Sequence, residues 1–392
     1  MTTQRIYDED SFARTCTARV LRCEAAGESW RIALDRTCFF PEGGGQFGDQ
    51  GTLTPAGGAP VQVLDTRNGD GLIWHITDTP IPEGTEVEGA LNWPLRFARM
   101  QCHSGEHIIS GLFHSRFGLE NVGFHLGDEE VLVDLSGPVS WAEVQEVERL
   151  ANEAVALDLP VQCTYPSAEE LKTLTYRSKI ELTGPVRIVT IPGYDVCACC
   201  APHVQRTGQI GLIHFLSSQN WKGGVRLRLL CGSRAVEDVM AKQNSVAAIS
   251  ARLSAHQSQV AQAVERLNGE LVALKQTHAQ LGRQTAQLLA ETLPVGETAV
   301  CFAELDTAAL RALVNAALKR GVPLCAAFAP SGERFSYILG AAEEDLRPLV
   351  REMNDALSGR GGGSAAMVQG SVAATRPEIQ RWWDARKTVN KS

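Results

Sequence analysis

His103-Ser104-Gly105-Glu106-His107 sets two imidazoles four residues apart inside a stretch, Pro94 to His114, that the spacing predicts to be helical. On a helix, positions i and i+4 share one face. A second motif, Cys199-Cys200-Ala201-Pro202-His203, repeats the same four-residue interval. Either pair alone is weak, because two histidines on one helix are commonly a buried pair or a surface coincidence. Together they supply four ligand types that zinc prefers, in number enough for a tetrahedron. The expected ligands are His103, His107, Cys199 and His203, around one Zn2+ per chain. Spacing does not single out the thiolate: Cys197 and Cys200 also lie near His203, and Cys102 adjoins the first motif. Cys199 is preferred for its i, i+4 spacing. Pro202 restricts Ala201 and argues against a regular helix there, so the second pair is expected on a turn after a strand at Val186 to Ile191.

Working outward, residues 1–91 alternate apolar and polar side chains, as in Ser29-Trp30-Arg31-Ile32-Ala33-Leu34-Asp35 and Val61-Gln62-Val63-Leu64-Asp65. Gly- and Pro-rich breaks separate the runs, the pattern of a small β-barrel. Within it lies Phe39-Phe40-Pro41-Glu42-Gly43-Gly44-Gly45-Gln46. The glycines let the backbone approach a ligand, but on the glycines alone a plain hairpin loop is the favoured reading. Residues 92–235 mix helix and strand. Trp141 to Asp158 is amphipathic; Val131 to Leu135, Ile210 to Phe215 and Val225 to Leu230 read as strands. Residues 236–294 carry apolar positions at threes and fours, among them Val246, Ile249, Leu253, Val260, Val264, Leu267, Leu271, Leu274, Leu281 and Leu288, which predicts a long helix or helical hairpin of coiled-coil character. Pro294 ends it. Residues 295–392 alternate strand and helix and contain a second glycine-rich loop, Gly359-Arg360-Gly361-Gly362-Gly363. The fold class is α+β: barrel, metal-binding α+β domain, helical segment, and a small α/β domain.

Composition narrows the function. With 44% hydrophobic and 21% charged residues, the chain is an ordinary globular one. No apolar run is long enough to span a membrane, and the first ten residues lack a signal-peptide core, so a cytoplasmic location without a membrane partner is expected. Eleven cysteines, an odd count without an export signal, are read as mostly buried thiols rather than disulfides. The net charge of −8 argues against indiscriminate nucleic-acid binding. Locally, however, Arg187, Arg206, Lys222, Arg226, Arg228 and Arg234 face only Asp195, giving the segment +5 (6 − 1).

The order Phe-Phe-Pro-Glu-Gly-Gly-Gly-Gln, His-x-x-x-His, Cys-x-x-x-His resembles the editing domain of alanyl-tRNA synthetase, and more closely the freestanding alanyl-tRNA editing proteins. The resemblance covers nearly the whole chain, with 236–392 similar to the C-terminal region of the synthetase and its DHHA1 domain. It implies an aminoacyl-tRNA deacylase acting in trans on mischarged alanine tRNA, carrying serine or glycine. It also implies zinc on His103, His107, Cys199 and His203, and a pocket loop at Gly43, Gly44 and Gly45. Thr37 and Gln46 are then expected to sense the seryl hydroxyl. Glu106 is the expected general base or a partner that orients a ligand histidine. Arg187, Arg206, Lys222, Arg226, Arg228 and Arg360 are expected to contact tRNA, and the helical and C-terminal parts to form a homodimer. Two positions depart from the family: the second motif is commonly Cys-Gly-Gly-Thr-His, and synthetases usually carry an uncharged residue at Glu106. Two other readings stay open. One is a non-catalytic tRNA-binding module with structural zinc. The other is a His-x-x-Glu-His zinc metallopeptidase, whose third ligand would be a carboxylate instead of Cys-x-x-x-His.

Overall fold

The computed structural model describes residues 2–127, 130–178 and 185–389. They divide into two compact units, Met1–Ser245 and Val246–Ser392. The boundary falls inside the helix Ser233–Leu253.

In the first unit, strands Thr15–Ala26, Ser29–Leu34, Leu72–Thr77, Val61–Gly69, Gly51–Pro55 and Glu86–Leu91 close, in that order, into a six-stranded barrel. Alternation does the work: Cys16, Ala18 and Val20 point inward from the first strand and meet Ile32, Leu34, Leu53 and Val63. The Gly43–Gln46 segment is a two-residue turn closed by Gly43 N–H to Gln46 O and Gln46 N–H to Gly43 O, both 3.0 Å. Its centre needs left-handed backbone, φ +60° at Gly44 and +80° at Gly45. A Cβ on Gly45 would also sit 2.6 Å from the Phe124 ring. The hairpin reading and the close-approach reading therefore both describe it.

The helix Trp93–Phe117 leaves the barrel. Asn92 caps it by accepting from Leu95 N–H, Pro94 occupies its first turn, and Gly118 ends it in left-handed conformation. It is buried from Cys102 to Phe113 without a break. Ile108, Ile109, Leu112 and Phe113 enter the core, each contributing about 1.5–3 kcal/mol. The buried face also carries Arg96, Arg99, His103, Ser104, Glu106, His107 and Ser110, a costly set unless every charge finds a partner. Gly111 lets the helix back onto the next layer, where a Cβ would lie 2.1 Å from Tyr194 O.

Around this helix stand a four-stranded sheet, Ile213–Trp221, Gly224–Cys231, Val131–Leu135 and Asn121–Leu126, and a three-stranded one, Gln162–Thr164, Ile188–Ile191 and Asp195–Ala198. The helix Trp141–Ala156, started by a Ser140/Glu143 capping box, packs Val144, Val147, Ala151 and Ala154 into the same core. The strand Asp195–Ala198 was not anticipated; Cys199 follows it, rather than the strand ending at Ile191 directly.

In the second unit the helix Val260–Thr292 packs Ala286 and Ala290 against Leu310, Leu313 and Val314 of the helix Thr307–Lys319. Five strands run in the order Ala299–Phe302, Leu324–Ser331, Arg334–Ala341, Met367–Val372, Arg360–Gly363. Alternation covers both faces of this sheet. Cys325 and Ala327 meet the helix Thr307–Lys319, while Ala326 and Phe328 meet Leu346, Val350 and Met353 of the helix Leu346–Ala356. The glycine-rich segment is an edge strand rather than a loop: Arg360 pairs with Ser371 and Gly363 with Val368. The helical region is two helices, broken at a turn where His256 caps Ser258 N–H. No helix among the described residues is long and apolar enough to cross a membrane.

Candidate metal centre

His103, His107, Cys199 and His203 converge so that one ligand atom from each lies within 4.8 Å of all the others. Cys199 Sγ stands 3.5 Å from His103 Nε2 and 3.4 Å from His203 Nε2. Zinc bonds of about 2.3 Å to sulfur and 2.0–2.1 Å to nitrogen, at a tetrahedral angle, put S and N about 3.5 Å apart. The donor set and its spacing fit zinc.

Each imidazole is turned inward by a partner on its far nitrogen. His103 Nδ1 faces Gln46 Oε1 at 3.1 Å, His203 Nδ1 faces Ser104 Oγ at 3.1 Å, and His107 Nδ1 faces Asp195 Oδ2 at 2.8 Å. With Nδ1–H donating, every Nε2 lone pair points to the common centre, the arrangement that metal-binding histidines need. Asp195 is in turn gripped by Arg177, Nε to Oδ1 at 2.8 Å and Nη2 to Oδ2 at 2.9 Å. Arg187 Nη1 donates to the carbonyls of Cys199 (3.1 Å) and Ala201 (2.8 Å), fixing the turn that carries the thiol.

The electrostatics follow from this packing. Burial raises a thiol, yet the imidazoles of His103 and His203 beside Cys199 hold it well below the ordinary range, as a thiolate ligand requires. Burial, the largest single influence, disfavours an imidazolium at His107, but the hydrogen bonds to Asp195 and Cys199 and the negative charges of Cys199 and Glu106 together outweigh it and raise that ring well above its ordinary value. Burial lowers His203 to about 3.

The centre opens onto a cavity of 710 Å³ whose wall includes Gly44, His103, Glu106, His107 and Cys199. Glu106 accepts from Ser110 Oγ at 2.6 Å and from Asn121 Nδ2, both at Oε1, so its carboxylate is held in place in the wall. Cys200 Sγ also lines this wall, beside the Gly43-Gly44 backbone.

Thr37 and Gln46 are buried and do not line the cavity. Thr37 Oγ1 donates to His75 Nε2 at 2.8 Å and accepts from Phe39 N–H at 3.1 Å. The His75 Nδ1–H goes to Ile32 O at 3.0 Å, which fixes this tautomer. Gln46 instead reaches the centre through His103.

Of the cations expected to meet tRNA, Arg187 is buried. Arg206 pairs with Asp158 at 2.6 Å, Arg226 with Asp134 at 2.7 Å, and Arg228 Nε donates to Glu130 Oε2 at 2.7 Å. The local excess of +5 is thus largely neutralised from other segments. Lys222 lies 5.4 Å over the Trp221 ring, and Arg360 is exposed on the edge strand; neither pairs with a carboxylate among the described residues.

Asp195, Arg177, Ser104 and Asn121 were missed from sequence. So was the pair Arg96–Asp49, both buried, which ties the metal helix to the segment after the glycine turn. Asp49 also accepts from Phe40 N–H at 2.7 Å, and Arg99 donates to Gly48 O at 2.6 Å. Only Asp195 carried a signal, as the one acid in a basic stretch beside three cysteines.

The family described as the threonyl and alanyl tRNA synthetase second additional domain matches residues 186–228. The class II (A) tRNA synthetases match residues 14–95. The alanyl-tRNA editing protein AlaX-L of Pyrococcus horikoshii is 29% identical over 401 residues, 96% of both chains. The alanyl-tRNA editing protein Aarsd1 of Bos taurus is 30% identical over 302 residues, 72% of this chain and 67% of its own. The alanine–tRNA ligase of Pyrobaculum calidifontis is 29% identical over 389 residues; these cover 95% of this chain but 42% of the ligase.

Proposed function

The chain belongs to the alanyl-tRNA editing proteins and is an aminoacyl-tRNA deacylase that edits in trans; from that premise we propose that it hydrolyses the ester of serine, and of glycine, on alanine tRNA at a zinc-dependent centre. The observation that carries this reading is the convergence of His103, His107, Cys199 and His203, three of which, His103, His107 and Cys199, share one cavity wall with Gly44 and Glu106.

In this reading the four converging side chains hold one zinc ion. Bound there, zinc would supply Lewis acidity. The protein's own groups do the rest. Gln46, Ser104 and Asp195 keep the three imidazoles aimed. The Gly44-Gly45 turn lets the aminoacyl end of the substrate come close to the backbone. Glu106, held by Ser110 and Asn121, takes the proton of the attacking water as its oxygen bonds to the ester carbonyl carbon, and returns it to the ribose oxygen of the terminal adenosine as the bond from that carbon to the ribose oxygen breaks. Glu106→Gln should lower turnover and keep zinc; unchanged deacylation would remove Glu106 from catalysis.

A pocket that merely tolerates a hydroxyl discriminates by only about 1–3 kcal/mol, whereas one that hydrogen-bonds it rejects the analogue lacking it far more strongly. Thr37 remains the proposed partner of the seryl hydroxyl, provided its own hydroxyl leaves His75. Gln46 positions His103, and its Nε2, which has no partner among the described residues, offers a second donor.

For tRNA, Lys222 and Arg360 are the first-rank contacts. Arg206, Arg226 and Arg228 would exchange a carboxylate for a phosphate. Val264, Leu267, Leu271, Leu274, Leu281 and Leu288 leave an exposed apolar seam at heptad spacing on the helix Val260–Thr292, which supports a homodimer through that helix and the DHHA1-like domain. Light scattering that shows a monomer at all concentrations would rule the dimer out. The finer division at residues 91, 235 and 294 belongs to the same proposal.

Four protein ligands also suit a purely structural zinc, which is the observation favouring a non-catalytic module. The test is deacylation of Ser-tRNA and Ala-tRNA of the alanine isoacceptor, with and without chelator. Chelator-sensitive loss of serine alone supports editing. Retained tRNA binding with neither ester lost supports the module, and peptide cleavage would support the peptidase.

A further inference from the structure

The cavity is larger than the chemistry at its metal end requires. At 710 Å³ it lies within the range of about 300–1,000 Å³ that buries a drug-sized ligand. A seryl or glycyl group, with its few heavy atoms, would leave most of it empty. The rest of the wall includes Arg5, Tyr165, Pro185 and Val186, together with Arg177 and Arg187; Arg177 is engaged by Asp195 and Arg187 by the carbonyls of Cys199 and Ala201.

Tyr165 is 52% exposed. It follows the strand Gln162–Thr164, and its hydroxyl donates to the half-buried Asp8 at 3.2 Å. That bond tethers the phenol end and holds the ring, so an open aromatic face is presented to the cavity at little cost in conformational entropy. Arg5 stands three residues before Asp8, on the short strand Gln4–Arg5 that pairs with Arg36–Thr37. It is exposed, and its guanidinium forms no hydrogen bond or ion pair among the described residues. A held ring and an unpaired guanidinium on one wall are what a nucleotide needs: a stacking platform for the base and a counter-charge for the phosphate.

We propose that Tyr165 and Arg5 form the subsite for the 3′-terminal nucleotide of the tRNA, the adenine stacking on Tyr165 and its 5′-phosphate meeting Arg5. The assignment rests on the editing function proposed above. It places the aminoacyl ester at the end walled by Gly44, Glu106 and Cys199, with the base and phosphate at the end walled by Tyr165 and Arg5. Asp8 stays outside the stack, as acceptor of the tyrosine hydroxyl.

The experiment uses the full chain and two probes, 5′-AMP and adenosine, with CMP as control. Calorimetry on wild type should show 5′-AMP binding more tightly than adenosine and than CMP. Arg5→Ala should abolish the advantage of 5′-AMP over adenosine and leave adenosine binding in place. Tyr165→Ala should raise KM for the mischarged tRNA about 5- to 150-fold, the effect of losing one stacked base, with kcat within a few-fold. Tyr165→Phe should restore most of it, and Tyr165→Leu, which keeps apolar bulk without a π-face, should not. Equal binding of 5′-AMP and CMP, or an unchanged KM in both Tyr165→Ala and Tyr165→Leu, overturns the subsite. Because the calorimetric arm needs no turnover, a wild type that binds 5′-AMP selectively but deacylates nothing refutes the function and leaves the nucleotide subsite standing.

Discussion

Replacing Asp195 by asparagine should weaken zinc binding while leaving the cavity wall in place. Asp195 is 6% exposed and serves two partners at once. His107 Nδ1–H donates to it at 2.8 Å, and Arg177 holds both carboxylate oxygens at 2.8 and 2.9 Å. Asparagine can still present one oxygen, but its amide group then faces the Arg177 fork, donor against donor. If the oxygen stays with Arg177, His107 loses the acceptor that keeps Nε2 turned to the centre. Loss of such an outer partner typically costs 10- to 100-fold in metal affinity, about 1.4–2.8 kcal/mol at about 1.4 kcal/mol per decade. Stability should fall too, because leaving one member of a buried pair uncompensated costs about 3–5 kcal/mol. The assay is competition for zinc with a chromophoric chelator, alongside thermal melts of apo and loaded protein. Asp134→Asn is the control: it breaks the more open Asp134–Arg226 pair and should leave zinc affinity unchanged. If Asp195→Asn lowers the melting temperature but keeps zinc affinity within twofold of wild type, Asp195 is only one half of a structural ion pair and the orientation argument is wrong.

Three further outcomes are expected. Arg96→Met strands Asp49 in the core, both side chains being 1% exposed; urea unfolding should show a loss of about 3–5 kcal/mol, and a loss below 1 kcal/mol would contradict the stitching role of the pair. Gly111→Ala puts a Cβ 2.1 Å from Tyr194 O, so the helix must retreat from the residue beside Asp195; melts should drop by an overpacking cost of about 1–3 kcal/mol or more, and zinc affinity should fall with them. His75 is lowered by burial to about 4, so the unfolded chain takes up that proton first. Its contribution is complete above about pH 6.5, declines as pH falls from there, and levels off below about pH 4. It amounts to about 3 kcal/mol. The stability difference between wild type and His75→Gln should change by that amount between pH 7 and 4, and a constant difference would refute the assignment of a neutral, buried His75.

What was legible in the chain was what local chemistry encodes. Asn92, Pro94 and Gly118 frame the helix Trp93–Phe117 within a few residues of its ends, and alternation marks barrel strands such as Val61–Gly69. What was not legible depends on partners far along the chain. Arg226 meets Asp134 92 residues away, Arg228 meets Glu130 98 away and Arg206 meets Asp158 48 away, so a charge count within one segment overstated its field. Asp195 and Arg177 lie only 18 residues apart, but their pairing follows from the three-stranded sheet. The four residues of Asp195–Ala198 were too short to announce a strand. The glycines at 361–363 read as a loop because glycine has no strand preference; pairing with Val368, Gln369 and Gly370 makes them an edge.

In the proposed reading one metal serves one reaction: His103, His107, Cys199 and His203 would hold a single zinc on which removal of serine from alanine tRNA depends. It is tested most directly by titrating metal-free protein with zinc while following deacylation of Ser-tRNA and Ala-tRNA side by side. The account predicts that serine loss rises linearly to a break at one equivalent, with Ala-tRNA spared throughout, and that Cys199→Ala shows no such rise. Full, serine-selective activity in the metal-free protein would contradict it.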